Sequence, residues 1–151
     1  MLRLQPGRVV ADVGAGRGLL TVHLARAVSP GGRVVATDID GAALSSLGAR
    51  VAAAGLEPLV ESRQVKPTDP GLEPGRYDAI LLAQVDQYLE DRVAWLAAAR
   101  PALARGGRLV IANRLHHRSA ALAAAQAAGL TLVEESRDIP GQFVAVFEVK
   151  P

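Results

Sequence analysis

The sequence predicts a doubly wound α/β domain, with a mostly parallel seven-stranded sheet covered by helices on both faces and its last strand antiparallel. Three observations predict it. Apolar segments of strand length alternate with segments of helical periodicity along nearly the whole chain. Half of the residues are apolar but only 3% are aromatic, so the interior has to be built from Ala, Val, Leu and Ile, as in strands buried on both faces. At 151 residues the chain is long enough for one packed core, and a single domain spanning 1–151 is expected.

Arg8 to Val13 is a short apolar run ending in a glycine cluster, the pattern of a doubly buried strand. Leu20, Leu24, Ala27 and Val28 then recur at helical spacing, and Ser29-Pro30-Gly31-Gly32 stops the helix. Val34 to Thr37 is the second strand. Leu44, Leu47 and Val51 share one helical face, and Gly55 stands at a natural left-handed cap position. Leu59 to Val65 reads as a third strand, Lys66 to Arg76 as a loop rich in Pro and Gly, and Tyr77 to Ala83 as a fourth strand. The spacing predicts a helix over Leu89 to Ala104, broken at Pro101, after which Gly106-Gly107 turns the chain into a fifth strand, Arg108 to Ala112.

Ser119 to Ala128 is helical and ends at Gly129; Leu130 to Ser136 and Phe143 to Val149 are the last two strands, joined through Ile139-Pro140-Gly141. Repeated strand and helix alternation implies right-handed crossovers and a parallel sheet. The last connection is too short for a crossover, so the final strand runs antiparallel. Ligands in such sheets bind beyond the carboxyl ends of the strands, where strand order reverses. That rule gathers Gly14 to Gly18, the residues after Asp38 and the segment after Ala83.

Composition removes several function classes. There is no cysteine, hence no disulfide, zinc-thiolate site or thiol nucleophile, and a cytoplasmic location is the default expectation. Met1 to Pro6 lacks the pattern of a signal peptide, and no apolar run reaches the roughly eighteen residues of a membrane span. The formal charge of +2 arises from Arg and Lys scattered among Asp and Glu, without a basic block, so a nucleic-acid partner is not expected.

Val10-Ala11-Asp12-Val13-Gly14-Ala15-Gly16-Arg17-Gly18 is the most informative stretch. Alternate glycines let the backbone turn sharply and approach a ligand closely, and the following helix aims its free amides at that place. In the nicotinamide fingerprint the third glycine falls three residues after the second, a position held here by Leu19. The third glycine instead comes early, at Gly18, and Asp12 precedes the loop where a pyrophosphate would be repelled. A ligand with a cationic amino group fits better.

At these residues the sequence resembles the seven-stranded, Rossmann-like methyltransferases of class I that use S-adenosylmethionine, whose first motif is an acid followed by alternating glycines. The strand and helix order agrees with that family over nearly the whole chain. The resemblance implies that Asp12 helps hold the amino end of the cofactor, that backbone at Gly14, Ala15, Gly16 and Gly18 lies against it, and that Asp38 accepts hydrogen bonds from the ribose hydroxyls with Ile39 beside it. Asp40 is the adjacent alternative, better suited to capping the next helix. Family members usually carry an acid at the end of the third strand for the adenine amino group, where this chain has Lys66; backbone groups, Thr68 or Asp69 would substitute, and of these Asp69 is the expected contact.

Gln84-Val85-Asp86-Gln87-Tyr88, after the fourth strand, is the candidate catalytic segment, with Gln84 expected against the cofactor and Tyr88 against the acceptor. Where a proton must leave the acceptor, Asp86, His116 or His117 is the candidate base, although His117 reads equally as an exposed helix start. No metal is expected. The expectation is therefore in-line methyl transfer from S-adenosylmethionine to a small-molecule or lipid acceptor, with a non-catalytic binding module on the same fold as the rival reading. Because the glycine loop lies so near the start of the sequence, a minimal core without an amino-terminal lid is expected, with the site open or closed by a second subunit of a homo-oligomer.

Overall fold

The computed structural model describes residues 2–150. Along the chain lie β1 (Val9–Val13), α1 (Leu19–Val28), β2 (Arg33–Asp38), α2 (Gly41–Ala53), β3 (Val60–Gln64), β4 (Tyr77–Ala83), α3 (Arg92–Ala99), β5 (Leu103–Arg114), α4 (Arg118–Ala127), β6 (Thr131–Ser136) and β7 (Gln142–Glu148). The strands form a single seven-stranded sheet in the order β3-β2-β1-β4-β5-β7-β6. Pairing is parallel from β3 through β5, whereas β7 lies antiparallel between β5 and β6. Strand order reverses between β1 and β4, which places the ligand crevice above the carboxyl ends of those two strands.

Alternation along β1 divides the core into two layers. Ala11 and Val13 pack with Trp95, Leu96, Ala121 and Ala125, the sheet-facing side of α3 and α4. Val10 packs on the opposite side with Leu24, Ala25 and Val28 of α1. Val22, Ala36, Leu44, Leu47 and Val51 join α1, β2 and α2 in a third cluster, as the periodicity of α2 requires.

Three elements differ from the sequence-based expectation. The buried face of α1 is Thr21, Val22, Leu24, Ala25 and Val28, while Leu20 and Ala27 are exposed. Gly18, in the left-handed conformation immediately before Leu19, sets that phase. Helix α3 begins at Arg92 instead of Leu89, because the Asp91 carboxylate accepts from Ala94 N at 3.0 Å and caps it, and residues 86–88 turn as a 3-10 helix. Pro101 lies in a second 3-10 turn, so the helix ends at Ala99.

Strand β5 starts at Leu103 and runs through Gly106-Gly107, which the sequence reading takes as the turn before it. Tyr77 pairs with Leu103 while Ala79 pairs with Arg108, so the glycines form a bulge within the strand. A Cβ at Gly107 would stand 2.7 Å from the Tyr77 carbonyl oxygen, a separation only glycine permits.

Candidate functional site

The loop between β1 and α1 is held by backbone. Ala15 N donates to Thr37 O at 2.9 Å and Gly18 N to Ala15 O at 3.1 Å. Gly14, Gly16 and Gly18 all have positive φ, which favours glycine at each position. Their surroundings differ. A Cβ at Gly14 would stand 2.6 Å from Val85 Cγ1, and one at Gly18 2.7 Å from Leu47 Cγ, so these two permit close packing. A Cβ at Gly16 would meet nothing within 4 Å. The loop therefore has open space at Gly16, which leads through Arg17 and Gly18 into α1, whose first amides carry no side-chain cap.

Asp38 closes β2 and faces this loop. Its Oδ2 accepts from Gly16 N at 2.9 Å and its Oδ1 from Asp40 N at 2.9 Å. Asp40 caps α2 by accepting from Ala42 N at 2.9 Å and Ala43 N at 3.4 Å, so the two neighbouring acids have separate tasks. Asp12 points to the other face of β1, where Thr21 Oγ1 donates to its Oδ2 at 2.7 Å. Only 2% of Asp12 is exposed. Burial pushes its carboxyl up to about 6, against the Thr21 hydrogen bond and with a further push from the Asp38 charge.

A cavity of about 320 Å³ opens at the carboxyl edge of the sheet. Val13, Gly14 and Thr37 form its floor, with Asp38 and Ile39 at one side. Val65, Lys66, Pro67 and Pro70 make one wall; Val85, Tyr88, Leu89 and Trp95 make the other. Concave, largely apolar and supplied with few polar groups, it has the character of a small-molecule site.

The cavity thus brings together Gly14, Asp38, Ile39 and Tyr88 from the predicted set, with Ala15 and Gly16 in the adjoining loop. Gly18 is buried against α2, and Asp12 lies beneath the loop, outside the cavity lining. Asp69 is also outside it: exposed, it accepts from Gly71 N at 2.9 Å and shapes a turn. Gln84 is exposed at the end of β4 with φ 58°, its N donating to Ala112 O at 2.7 Å.

Asp86 is 1% exposed and does not reach the cavity. Asn113 Nδ2 donates to its Oδ1 at 2.7 Å and Arg92 Nε lies 3.3 Å from its Oδ2, so its carboxylate joins the β4 and β5 connections instead of facing an acceptor. His116 and His117 sit in the 3-10 turn after β5 with ring centroids 3.9 Å apart, outside the cavity lining. Among the described residues no cluster of three His, Asp or Glu side chains could hold a metal, and no helix is long and apolar enough to cross a membrane.

Trp95, Leu89, Pro67 and Pro70 line the cavity without belonging to a motif that marks them in the sequence, whereas Val85 lies within the candidate catalytic segment. The signal for Trp95 was Asp91: with that residue as cap, Trp95 falls in the first turn of α3 and faces the sheet near the crevice.

Residues 11–109 match the family described as the methyltransferase domain. No curated protein sequence matches the chain. Among solved structures, a methyltransferase dependent on S-adenosylmethionine from Aquifex aeolicus superposes with a TM-score of 0.89 at 19% identity, covering 97% of this chain and 84% of that one. A TehB-like methyltransferase from Corynebacterium glutamicum gives 0.76 at 22% identity, over 96% and 82% of the two chains. Geranyl diphosphate C-methyltransferase from Streptomyces coelicolor gives 0.79 at 16% identity, over 97% and 76%. The chain belongs to the class I, Rossmann-like family of methyltransferases that depend on S-adenosylmethionine.

Proposed function

We propose that this methyltransferase holds S-adenosylmethionine between the glycine loop and the cavity walls and methylates a small-molecule or lipid acceptor. The observation that carries the reading is the position of Asp38, a carboxylate at the mouth of an apolar cavity and hydrogen-bonded to the glycine loop. Each of its oxygens keeps a second acceptor site after binding Gly16 N and Asp40 N, so a vicinal diol is received without breaking the loop. Ile39 and the apolar walls suit a flat base, and the open space at Gly16 suits the remainder of the cofactor. Asp12 contributes negative charge from beneath the loop, which favours a cationic amino end and opposes a pyrophosphate.

When bound, the cofactor supplies a methyl group already activated on a sulfonium. The chain's task is to orient the acceptor and exclude water, the source of most of the rate in such a transfer. Since Asp86 is engaged with Asn113 and Arg92, His116 and His117 are the remaining candidates among the predicted bases, for an acceptor that must lose a proton. Exposed Leu19, Leu20, Tyr88 and Leu115 lie on elements at the carboxyl rim and favour an acceptor with apolar surface.

The experiment is transfer of a radiolabelled methyl group from S-adenosylmethionine in a cell extract depleted of other methyltransferases by heat, followed by fractionation. Label in the organic-soluble or small-molecule fraction is the expected outcome. Label confined to RNA or protein would contradict the acceptor assignment.

A further inference from the structure

The wall containing Val65, Lys66, Pro67 and Pro70 depends on a segment with neither helix nor strand, Lys66 to Arg76. Its first part is tied locally, Asp69 N to Lys66 O at 3.1 Å and Gly71 N to Asp69 Oδ1 at 2.9 Å. Its end is tied to the chain before β5, where Gly75 N and Arg76 N donate to Pro101 O and Ala102 O at 2.9 and 3.0 Å. Between these ties the segment is fastened to the sheet by Arg63 of β3. Arg63 Nη1 donates to Gly71 O and to Glu73 Oε1, each at 2.6 Å, and Nη2 donates to Glu73 Oε2 at 3.1 Å. Its Nε donates to Glu61 Oε2 at 2.6 Å, which fixes the guanidinium plane on the strand.

Glu73 is the other hub, accepting also from Tyr77 Oη at 2.7 Å and from Arg76. Gly71 is where the segment folds back most closely: its φ is +65°, and a Cβ there would stand 2.6 Å from Val65 Cγ1, a wall residue. Drawing Gly71 O to Arg63 therefore holds the return of the loop against the wall. Neither Arg63 nor Glu73 lines the cavity.

We infer that Arg63 is a positioning residue for the adenosyl cofactor: through Glu73 and Gly71 O it fixes the cavity wall before the ligand arrives, without touching the ligand. The inference rests on the proposed occupancy of this cavity. A loop left free would have to be ordered on binding, and the lost conformational freedom would subtract from affinity. Arg63 and Glu73 are partly exposed, with side-chain accessibilities of 25% and 43%, so their pairing adds little to global stability. Its consequence is read in ligand affinity instead. Arg63 holds the Glu73 carboxyl well below the ordinary carboxylate range, so the fork stays charged on both sides at neutral pH.

The test is titration of the chain with S-adenosylhomocysteine, followed by calorimetry and by the emission of Trp95, the single tryptophan and itself a wall residue. Arg63→Met is expected to weaken binding by about tenfold, the scale of the conformational freedom of roughly one loop residue that binding would then have to remove. Glu73→Gln should weaken it less, the double variant no more than Arg63→Met alone, and Arg63→Lys should recover part of the loss. The thermal midpoint of unliganded Arg63→Met should stay within a few degrees of the parent. Arg118→Met, which removes a fork of the same chemistry to Glu135 away from this wall, should bind as the parent does. Parental affinity in Arg63→Met, or an equal loss in Arg118→Met, would overturn the inference. Absence of binding in the parent chain would overturn the cofactor occupancy itself.

Discussion

The two sides of the crevice are built from the same materials and use them differently. On the β1 and β2 side, Asp38 spends its carboxylate on backbone amides of the loop and of the next helix, and keeps acceptor capacity at the cavity mouth. On the β4 and β5 side, Asp86, Asn113, Gln87 and Arg92 are tied to one another: Asn113 Nδ2 donates to Asp86 Oδ1 and to Gln87 Oε1, both at 2.7 Å, and Arg92 Nε donates to the Asp86 carbonyl at 3.1 Å, while the buried Asp86 Oδ2 has Arg92 Nε at 3.3 Å as an ion pair and no hydrogen bond. One side is arranged to receive hydrogen bonds from a ligand and the other to hold a connection rigid. Methyl transfer tolerates that division, because it needs an aligned acceptor more than an acid or base.

The largest effect that would sharpen the contrast is expected from Asp86→Ala. Removing a buried carboxylate leaves the Asn113 amide and the Arg92 guanidinium short of a partner, and should lower unfolding free energy by about 3 kcal/mol. Chemical denaturation measures it; the folded fraction should bind cofactor with parental affinity. An Asp86→Ala protein of parental stability but no affinity would move the binding function across the crevice and break the comparison.

Asp38→Ala should do the reverse. Cofactor affinity is expected to fall by about 2 kcal/mol through the lost charge-assisted hydrogen bonds, measured by calorimetric titration. Parental affinity in that variant would remove Asp38 from the ligand.

The third effect concerns Asp12, the acid beneath the loop. Its folded carboxyl titrates at about 6, above the ordinary value, so the folded state binds the proton more tightly than the unfolded chain does. The stability this contributes is full below the ordinary carboxylate range and is lost as pH rises through about 6. Asp12→Asn should therefore flatten the pH dependence and raise the stability of the unliganded protein at pH 7.5, above the titration range. The same variant should bind the cofactor less well, since the charge that costs stability favours the amino group. Unfolding curves between pH 4 and pH 8 for both proteins decide the first part; a parental slope in Asp12→Asn would contradict it.

Much of this was legible in the sequence because it is local. The spacing of Gly14, Gly16 and Gly18 after an apolar run and before a helix announces the loop, and Asp38 follows at the end of a readable strand. The antiparallel β7 was legible from the shortness of its connection. What was not legible depends on partners distant in the chain. Gly106-Gly107 reads as a turn unless Tyr77 O is known to press on Gly107. Asp86 reads as a base until Asn113, 27 residues later, is found to occupy it. The phase of α1 follows from the left-handed Gly18 and not from the count of leucines, which is why Leu20 was placed inward. The wall that Arg63 fastens has no periodicity to reveal it, since the pairing joins a strand to a loop.

The central claim is that the glycine loop, Asp38 and the cavity walls form one site for a cationic adenosyl ligand. Calorimetric titration with S-adenosylmethionine, S-adenosylhomocysteine and nicotinamide adenine dinucleotide tests it most directly. Saturable one-to-one binding of the first two and none of the third is predicted, with a gain of roughly 2.7 kcal/mol in stability at a hundredfold excess over the dissociation constant. Binding of the dinucleotide in their place, or of no ligand among the three, would contradict it.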